Sequence, residues 1–304
     1  MADQNFRIKI PASSSNLGPG FDCFGLALEL YNNYEIKVLD TSNEFNLTSN
    51  LKTEFCPNDK TNLFYKSFAH LYQKLGIDTL PGLELKLDAQ IPSCGGFGSS
   101  GTAILAGLVC ANEILGNRLS VKELLLEACS LEGHPDNVTA SMLGGFCLSR
   151  LKEDQLVFKK INWKLDLDCL LLCPRNFRVN TQEARDALPQ SIDLDAAITN
   201  LSNSALFTAA VFESNAELLK LSTSDRIHEE ARIKLIPGAK EILDFAHSFD
   251  IYGATISGSG ASLIIFSKQD MPEISQKAQE IWSDHNIESQ AIYTKVSNSG
   301  ALIY

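Results

Sequence analysis

Paired cysteines, long apolar runs and a surplus of basic residues are all absent from this 304-residue chain. No stretch reaches about 18 apolar residues, the length that a helix needs to cross a bilayer. The N-terminal residues lack the basic flank and apolar segment of a secretory signal, so the sequence predicts a cytosolic protein. Acidic residues outnumber basic ones by 37 to 26, and the resulting charge of −11 disfavours nonspecific binding to nucleic acid or to an anionic membrane.

The eight cysteines are scattered and form no C-x-x-C pair, which excludes a zinc ribbon and a dithiol redox motif. We interpret them as small buried hydrophobic residues. Cys94 stands inside a glycine cluster, but no histidine lies near it in sequence to activate it as a nucleophile. Hydrophobic residues at 44% and charged residues at 21% are typical of an ordinary folded protein.

Alternating apolar and polar residues predict strands at 6–10, 34–38 and 83–88, and Pro11 is expected to end the first of them. Strands that alternate in this way are typical of an antiparallel sheet with one face in water or under helices, because buried parallel strands are apolar throughout. The first hundred residues therefore predict an antiparallel sheet.

Two helices are predicted after these strands, a buried one over 102–115 and an amphipathic one over 120–131 that begins with the capping box SVKE. Strand and helix patterns start again after the segment CLLLCP, and no low-complexity linker or internal repeat separates the halves. The sequence therefore predicts an α+β protein of two closely packed lobes, with a boundary near residues 150–170 and a cleft between the lobes.

The strongest local signal is the segment IPSCGGFGSSGTAILAGL at residues 91–108. Its glycines and serines stand directly before the buried helix, so free backbone N–H groups, the positive end of the helix dipole and hydroxyl groups converge. Such a convergence predicts an anion site of the kind that binds phosphate. The residues concerned are Gly95, Gly96, Gly98, Ser99, Ser100 and Gly101.

Two other interpretations of this segment compete with a phosphate site. Residues 96–101 satisfy G-x-G-x-x-G, the dinucleotide-binding fingerprint, but that fingerprint requires a buried parallel strand directly before it. Here Pro92 interrupts, and the preceding strand alternates. A glycine turn that only permits close packing is the second alternative. A P-loop is excluded because no Gly-Lys-Ser/Thr closes the glycine run.

Two further glycine-rich segments are PASSSNLGPGFDCFGLAL at residues 11–28 and ATISGSGASLIIF at residues 254–266. In the first, Asn16 and Asp22 suit either a turn with an aspartate cap or the recognition of an amino or hydroxyl group. The second is a tight hairpin, whose glycines would also let its backbone approach a ligand closely.

A cluster of polar side chains occurs in LEGHPDNVTASMLGGF, residues 131–146. His134, Asp136 and Asn137 surround a proline at the end of the amphipathic helix, which favours a substrate loop over a structural histidine. A single histidine lacks the spacing expected of a zinc site.

The segments PASSSNLGPGFD, IPSCGGFGSSGTA, EGHPDNV and TISGSGAS, in this order, resemble the GHMP small-molecule kinases. The second is shared across that superfamily, whereas the first and the HPDN sequence resemble the homoserine kinases within it. NTQEAR and ARIKLIPG are similar to the two arginine segments of that family. The resemblance implies an N-terminal ATP-binding lobe like domain 2 of ribosomal protein S5 over 1–160 and a ferredoxin-like C-terminal lobe over 161–304.

For the nucleotide, the resemblance implies ATP and Mg²⁺. Ser99 and Ser100 would lie near the β- and γ-phosphates. Ser99 and Glu127 would hold the metal, with Glu132 as the alternative carboxylate if a gap shifts the alignment. Asn62 would contact adenine, and the loop would wrap the phosphates. The implied nucleotide-binding residues are Asn62, Pro92, Ser93, Cys94, Gly95, Gly96, Phe97, Gly98, Ser99, Ser100, Gly101 and Thr102.

For the acceptor, the resemblance implies L-homoserine. Asp22 would be the counter-ion of its ammonium group, and Arg185 and Arg232 would clamp its carboxylate with planar guanidinium groups. Thr181 would lie near the transferred phosphate, and no catalytic base is assigned. The implied substrate-binding residues are Asn16, Asp22, His134, Asn137, Arg185, Arg232, Gly258 and Gly260, and the implied catalytic residues are Thr181, Asn16 and His134.

The expected activity is phosphorylation of the L-homoserine hydroxyl by ATP to O-phospho-L-homoserine, a step toward threonine. Alternatives are a mevalonate-, shikimate- or sugar-type kinase of the same superfamily, and a catalytically silent relative that binds ligand. An NAD-dependent oxidoreductase has only the G-x-G-x-x-G fingerprint in its favour. The expected partners are small molecules, not nucleic acid or membrane, and the sequence leaves the oligomeric state open, with a homodimer as one candidate.

Overall fold

Two β-sheets flanked by helices make up the computed structural model, which describes residues 5–52, 54–93, 95–153 and 155–304. The strands are β1 (Asn5–Asn16), β2 (Gly20–Ser42), β3 (Phe45–Ser49), β4 (Pro81–Ala89), β5 (Phe146–Lys152), β6 (Gln155–Ile161), β7 (Asp168–Pro174), β8 (Gly253–Ile256), β9 (Leu263–Ser267), β10 (Ser289–Thr294) and β11 (Leu302–Ile303). The helices are α1 (Leu63–Lys74), α2 (Ser99–Ile114), α3 (Val121–Glu132), α4 (Asp136–Leu143), α5 (Thr181–Asp186), α6 (Leu194–Glu213), α7 (Ala216–Lys220), α8 (Glu229–Ile233), α9 (Ala239–His247) and α10 (Pro272–Asp284).

Within the described residues, the N-terminal sheet has seven strands in the order β11-β1-β2-β4-β3, and β5 and β6 extend it from β2. Its strand pairs are antiparallel except for β3 with β4. Phe68 of α1 and Leu105 of α2 form one apolar core with Ile10 and Leu83 of the sheet. The predicted antiparallel sheet with a helix-covered face is therefore confirmed. The dinucleotide-binding alternative is excluded, because β4, which leads into the glycine loop, pairs with β2 in antiparallel fashion.

The prediction that Pro11 ends the first strand is wrong. β1 continues to Asn16, and a register shift between Pro11 and Ala12 accommodates the proline. A strand tolerates the missing N–H of proline at such an irregularity. Asp22 lies inside β2 and caps no helix, so the turn with an aspartate cap is also ruled out. The longer β1 matters because it carries residues 13–16 to the middle of the molecule.

The two predicted helices are confirmed as α2 and α3, with ends within a few residues of the expected ones. The capping box is present: the Ser120 hydroxyl accepts from the Glu123 N–H at 3.3 Å, and the Glu123 carboxylate accepts from the Ser120 N–H at 2.7 Å. No sequence pattern above predicts α1. Its first turn is capped by Asn62, whose side chain accepts from the Phe64 N–H at 2.9 Å.

The C-terminal sheet has four antiparallel strands in the order β10-β7-β9-β8. One face packs against α9 and α10. Residues of the other face, such as Leu171 and Phe266, share an apolar cluster with Leu26 and Phe146 of the first sheet and Phe207 of α6. This shared core explains why the sequence needs no linker between the lobes. The division at residue 160 stays a prediction, and β11 returns from the C-terminus to pair with β1.

The described cysteines are free thiols, and all of them except Cys23 are buried. Burial raises the pKa of Cys129 and of Cys147 to about 12, so these thiols stay neutral and unreactive near neutral pH. Cys94 lies outside the described residues. None of the described helices combines the length and the apolar character of a membrane span.

Candidate active site

The three glycine-rich segments meet between the lobes. The Ser14 and Ser257 hydroxyls are 2.8 Å apart, and the Ser257 hydroxyl donates to the Gly96 carbonyl at 2.7 Å. The Gly258 N–H donates to the Ser15 carbonyl at 3.1 Å. The end of β1, the loop before α2 and the turn between β8 and β9 are therefore hydrogen-bonded to one another.

Close backbone contact explains two of the loop glycines. Gly96 has a φ of +80°, and a Cβ atom there would lie 2.0 Å from the Ser257 carbonyl oxygen. Gly98 has a φ of +69°, and a Cβ atom there would lie 2.4 Å from the Ser13 hydroxyl. Any larger residue would be strained and would push the three segments apart.

The start of α2 offers free hydrogen-bond donors to the space beside it. Its N-cap is Gly98, which provides no side-chain acceptor for the first-turn N–H groups. The Ser93 hydroxyl is buried and has no partner among the described residues, although Ser93 lines the adjacent cavity. Unsatisfied donors at a helix start are the chemistry that binds phosphate.

A cavity of about 720 Å³ extends from this helix start across the cleft, which is a suitable size for a small-molecule ligand. One end has apolar walls from the N-terminal lobe. Residues of that end are Leu47, Leu51, Phe55, Leu63, Phe64 and Leu87. The other end carries charged and hydroxyl groups from both lobes. Residues of that end are Asp22, Glu132, His134, Thr181, Arg185 and Arg232.

Glu132 and His134 form an acid–base corner next to the glycine loop. The Ser100 hydroxyl donates to Glu132 at 2.8 Å, and Nε2 of His134 lies 4.0 Å from the Glu132 carboxylate. Burial raises the pKa of Glu132, although His134 and Ser100 partly offset that effect. Nδ1 of His134 lies 2.7 Å from Asp136; burial alone would lower the histidine pKa, but Asp136 outweighs it and the pKa is raised.

Asn137 connects this corner to β1. Its side-chain oxygen accepts from the Ser13 hydroxyl and its amide group donates to the Ser15 hydroxyl, each at 2.9 Å. Both polar ends of the side chain are thus bonded within the protein, and its contact with substrate stays a prediction.

Opposite charges from the two lobes pair at the far end of the cavity. Arg185 of α5 donates two hydrogen bonds to the Asp22 carboxylate, at 2.9 and 3.0 Å. Arg232 of α8 is 2% exposed and donates to the Gly258 carbonyl at 3.0 Å. Burial lowers the pKa of Arg232. No carboxylate among the described residues lies within ion-pair distance of Arg232, so this buried guanidinium is suited to an anionic ligand.

Asn16 holds this end of the cavity together. Its amide donates to the Gly258 carbonyl at 2.8 Å, and its side-chain oxygen accepts from the Asp22 N–H at 3.0 Å. Asn16 and Asp22 both adopt left-handed backbone conformations, with φ values of 68° and 53°. Asparagine and aspartate tolerate that conformation better than most residues, and strain of this kind clusters at binding sites.

Comparison with known proteins decides the family. The model of the GHMP kinase N-terminal domain matches residues 62–145, and that of the GHMP kinase C-terminal domain matches residues 205–284. A homoserine kinase of Desulfitobacterium hafniense is 37% identical over 301 residues, which cover 98% of this chain and 99% of the relative. This chain belongs to the homoserine kinase family of the GHMP kinases.

Other members and structures agree with this membership. A homoserine kinase of Halothermothrix orenii is 37% identical, with 98% of this chain and 96% of the relative covered. The crystal structure of a homoserine kinase from Cytophaga hutchinsonii superposes with a TM-score of 0.85 at 29% identity, covering 100% of this chain and 98% of that one. The crystal structure of L. major mevalonate kinase has a TM-score of 0.70 at 14% identity, covering 99% of this chain and 97% of that chain, and so shares the fold. The expected α+β, two-lobed GHMP fold is confirmed.

The structure places Glu127, the predicted metal-binding carboxylate, outside the cavity lining and places the alternative, Glu132, within it. Glu127 does not line the cavity but is bonded to Lys74 and, at 2.9 Å, to His70 on α1. Burial would raise the pKa of Glu127, but hydrogen bonds from these two side chains lower it. Five residues along an α-helix turn a side chain by about 140°, so Glu132 points to the cavity and Glu127 points away.

Only part of the predicted phosphate loop faces the cavity. The lining residues are Ser93, Gly95, Gly96, Gly98, Ser99 and Ser100. Phe97 is fully buried in the core between the sheets, and Thr102 is buried with its hydroxyl donating to the Ser99 carbonyl. Gly101 faces Val138, and Pro92 is not part of the lining. These four residues lie outside the cavity lining, and their predicted part in binding ATP stays a prediction. The prediction for Cys94 falls outside the described residues.

The remaining predicted residues line the cavity. Asn62 does so while capping α1, with its amide donating to the Pro57 carbonyl at 2.7 Å. The Thr181 hydroxyl lies 3.5 Å from that of Ser259, between Gly258 and Gly260 in the lining. Their roles toward substrate and nucleotide stay predictions.

Sequence reasoning placed Asp136 in the substrate loop without a role of its own and did not single out Arg178. Asp136 orients His134. The signal available in the sequence was that Asp136 follows His134 by two residues in HPDN. Arg178 lines the cavity and stacks on Phe55, with its Cζ atom 3.8 Å from the ring centroid. No local sequence pattern could reveal the contact between Arg178 and Phe55, because the two residues come from different lobes.

A buried carboxyl supports the third glycine segment and makes stability depend on pH. Glu229 accepts from the Thr255 hydroxyl at 2.7 Å and from the Ile256 N–H at 2.9 Å, and burial raises its pKa from 4.5 to about 7 despite these bonds. Between these two pH values the unfolded chain releases the proton while the folded chain retains it. Folding therefore loses stability as the pH rises from about 4.5 to about 7, and changes little above that.

We expect Glu229→Gln to remove this loss. The difference in free energy of unfolding between the variant and wild type, measured by urea denaturation, should change in favour of the variant by up to about 3 kcal/mol from pH 5 to pH 7.5. Glu230→Gln, at an exposed neighbouring position, is the control and should follow wild type. Parallel pH curves for wild type and Glu229→Gln would contradict the raised pKa.

Proposed function

We propose that this chain transfers the γ-phosphoryl group of ATP to the hydroxyl of L-homoserine, giving O-phospho-L-homoserine and ADP, a step toward threonine. One observation carries the proposal: a single cavity joins the uncapped start of α2 to the charged frame of Asp22, Arg185 and Arg232. The first feature suits a polyphosphate, and the second suits a small molecule with one ammonium and one carboxylate group. Their proximity suits phosphoryl transfer between the two ligands.

The nucleotide half fits ATP on several counts. The N–H groups at the start of α2 and the unpartnered Ser93 hydroxyl can donate to phosphate oxygens. The apolar end of the cavity can hold the adenine ring, with Asn62 at its edge. We assign Ser99 and Ser100 to the β- and γ-phosphates.

The residues beside the glycine loop fit Mg²⁺ as well. Magnesium is usually held by one or two carboxylates together with substrate phosphates, and the Glu132 carboxylate lies next to the phosphate-binding serines. We propose that Glu132 and Ser99 hold the ion. When bound, Mg²⁺ neutralises charge on the phosphates. Glu132 itself holds the Ser100 hydroxyl in place beside the loop.

The amino-acid half fits homoserine through charge exchange. Asp22 and Arg185 neutralise each other across the cavity, and a zwitterionic ligand can satisfy both, its ammonium group on Asp22 and its carboxylate on Arg185. That carboxylate also supplies the counter-ion that the buried Arg232 lacks. Asn16 holds Asp22 in the required backbone conformation.

We assign His134 a positioning and electrostatic role, not that of a base. Asp136 raises its pKa and so favours the protonated imidazole, which donates hydrogen bonds. Thr181 and Asn16 are assigned to orient the transferred phosphate and the acceptor. Catalysis on this scheme is positioning and charge neutralisation, which is the main requirement of phosphoryl transfer.

A panel of acceptors tests the proposal. Purified protein with ATP and Mg²⁺ should release ADP with L-homoserine, and phosphorus NMR should show a phosphomonoester, whereas mevalonate, galactose and shikimate should give no turnover. Asp22→Asn, purified in the same way, controls for a contaminating kinase and should be inactive. Turnover of another acceptor instead would overturn the substrate, and ATP binding without any turnover would identify a silent relative.

A further inference from the structure

Arg178 is the one arginine of the cavity wall without a hydrogen bond among the residues that the structure describes. Arg185 is bonded to Asp22, and Arg232 is bonded to backbone carbonyls. Arg178 instead lies over the ring of Phe55 from the opposite lobe, 3.8 Å from the centroid. A cation–π contact of this kind is weak in water, so the guanidinium is available to a stronger partner.

Arg178 lies between the two ends of the nucleotide half of the cavity, which are the glycine loop and the apolar wall. Three residues further on, the Thr181 hydroxyl is 3.5 Å from Ser259, in the turn that packs on the glycine loop. Three residues span at most about 10 Å of chain. On the other side, Phe55 is followed by Pro57, whose carbonyl accepts from Asn62 at the apolar end. Arg178 is therefore within side-chain reach of the space between the phosphate loop and the apolar wall.

Among the described residues, the rest of the nucleotide half lacks a lysine or arginine side chain that could balance the charge of a polyphosphate. The loop segment at 91–103 contains no lysine or arginine, so its contribution to a polyphosphate is limited to N–H and hydroxyl groups. The other two arginines lie at the amino-acid end. The chain as a whole carries a charge of −11, which repels a polyanion unless positive charge is placed locally.

We propose that Arg178 is a nucleotide-binding residue, which contacts the polyphosphate from the lobe opposite the glycine loop. In the absence of nucleotide, Phe55 holds the guanidinium at the cavity wall. With nucleotide bound, the planar guanidinium donates to phosphate oxygens, for which its paired N–H groups are well matched. This inference rests on the proposed function, because it takes the nucleotide half as the site of ATP.

Affinities for ADP and adenosine test the proposal. Arg178→Ala should weaken ADP by about 10- to 100-fold, the size of one or two charge-assisted hydrogen bonds, and leave adenosine unchanged, as measured by calorimetry or competition. The KM for ATP should rise while the KM for L-homoserine stays the same. Arg178→Lys, which keeps the charge but not the planar guanidinium, should bind ADP with an affinity between those of wild type and Arg178→Ala.

Arg175→Ala is the matched control, since Arg175 is exposed on the same segment and lies outside the cavity. It should bind ADP like wild type. Equal losses for ADP and adenosine would overturn the proposal by placing Arg178 at the base, and an unchanged ADP affinity would overturn it as well. A wild-type protein that binds ADP but does not phosphorylate homoserine would refute the proposed function while leaving this comparison intact.

Discussion

Replacing Glu132 by glutamine is expected to lower kcat by about 100-fold and to raise the Mg²⁺ concentration that gives half the maximal rate. The Glu132 carboxylate lies beside the phosphate loop and accepts from Ser100, and no other glutamate of α3 faces the cavity in the described lining. Glutamine keeps the shape and a hydrogen-bond acceptor but removes the charge that a divalent cation requires. Steady-state rates over a Mg²⁺ titration measure both effects.

Glu127→Gln is the matched control on the same helix. Because Glu127 is paired with His70 and Lys74 outside the cavity, its replacement should lower the thermal midpoint of unfolding and leave kcat and the Mg²⁺ response near wild type. The opposite pattern, with a changed Mg²⁺ response in Glu127→Gln alone, would show that the metal lies on the other side of α3.

Arg232→Met is expected to raise the KM for L-homoserine by about 100-fold and to leave the KM for ATP unchanged. Among the described residues the buried guanidinium donates only to carbonyl oxygens and lies over the Phe21 ring, so on the proposed function the ligand carboxylate provides its main charge interaction. Losing one member of a buried charge pair costs about 2–5 kcal/mol of binding. Methionine fills much of the same volume, and replacing a buried charge by an apolar side chain is often tolerated, so the variant should fold.

A substrate analogue without the carboxylate distinguishes a lost carboxylate contact from misfolding of the Arg232→Met variant. Wild type should bind homoserine amide at least as weakly as Arg232→Met binds homoserine, because the amide also loses its charge interaction with Arg185. The variant should discriminate between the two compounds less than wild type does. Arg226→Met, at an exposed position two residues before His228, is the control and should behave like wild type. A variant that still prefers homoserine to the amide by the wild-type factor would show that Arg232 does not contact the carboxylate.

Hydrogen bonds within a few residues made parts of this fold predictable. The capping box of α3 involves Ser120 and Glu123, three residues apart, and the residue types alone indicate it. Pro11 misled the prediction because its missing N–H is tolerated at a register shift, which depends on how β1 pairs with β2. α1 was not predicted although Asn62 caps it, because its aromatic residues are stabilised by packing on the sheet, which the local sequence does not show.

The choice between Glu127 and Glu132 shows the same limit inside the site. Both carboxylates stand near HPDN in sequence, and an alignment shift of a few residues exchanges them. Only the rotation of α3 against α1 and α2 decides which carboxylate reaches the loop serines and which one pairs with Lys74.

The sequence by itself determined the α+β class, the glycine loop before a buried helix, and the family resemblance, because these depend on neighbouring residues and on apolar periodicity. The tertiary structure decided which distant side chains share the cavity. Asp22 and Arg185 are 163 positions apart and meet only because the apolar core between the two sheets brings β2 beside α5. Hydrogen bonds of helices, caps and turns join residues a few positions apart and so can be inferred from short segments, whereas side-chain encounters across a cleft depend on the packing of both lobes at once.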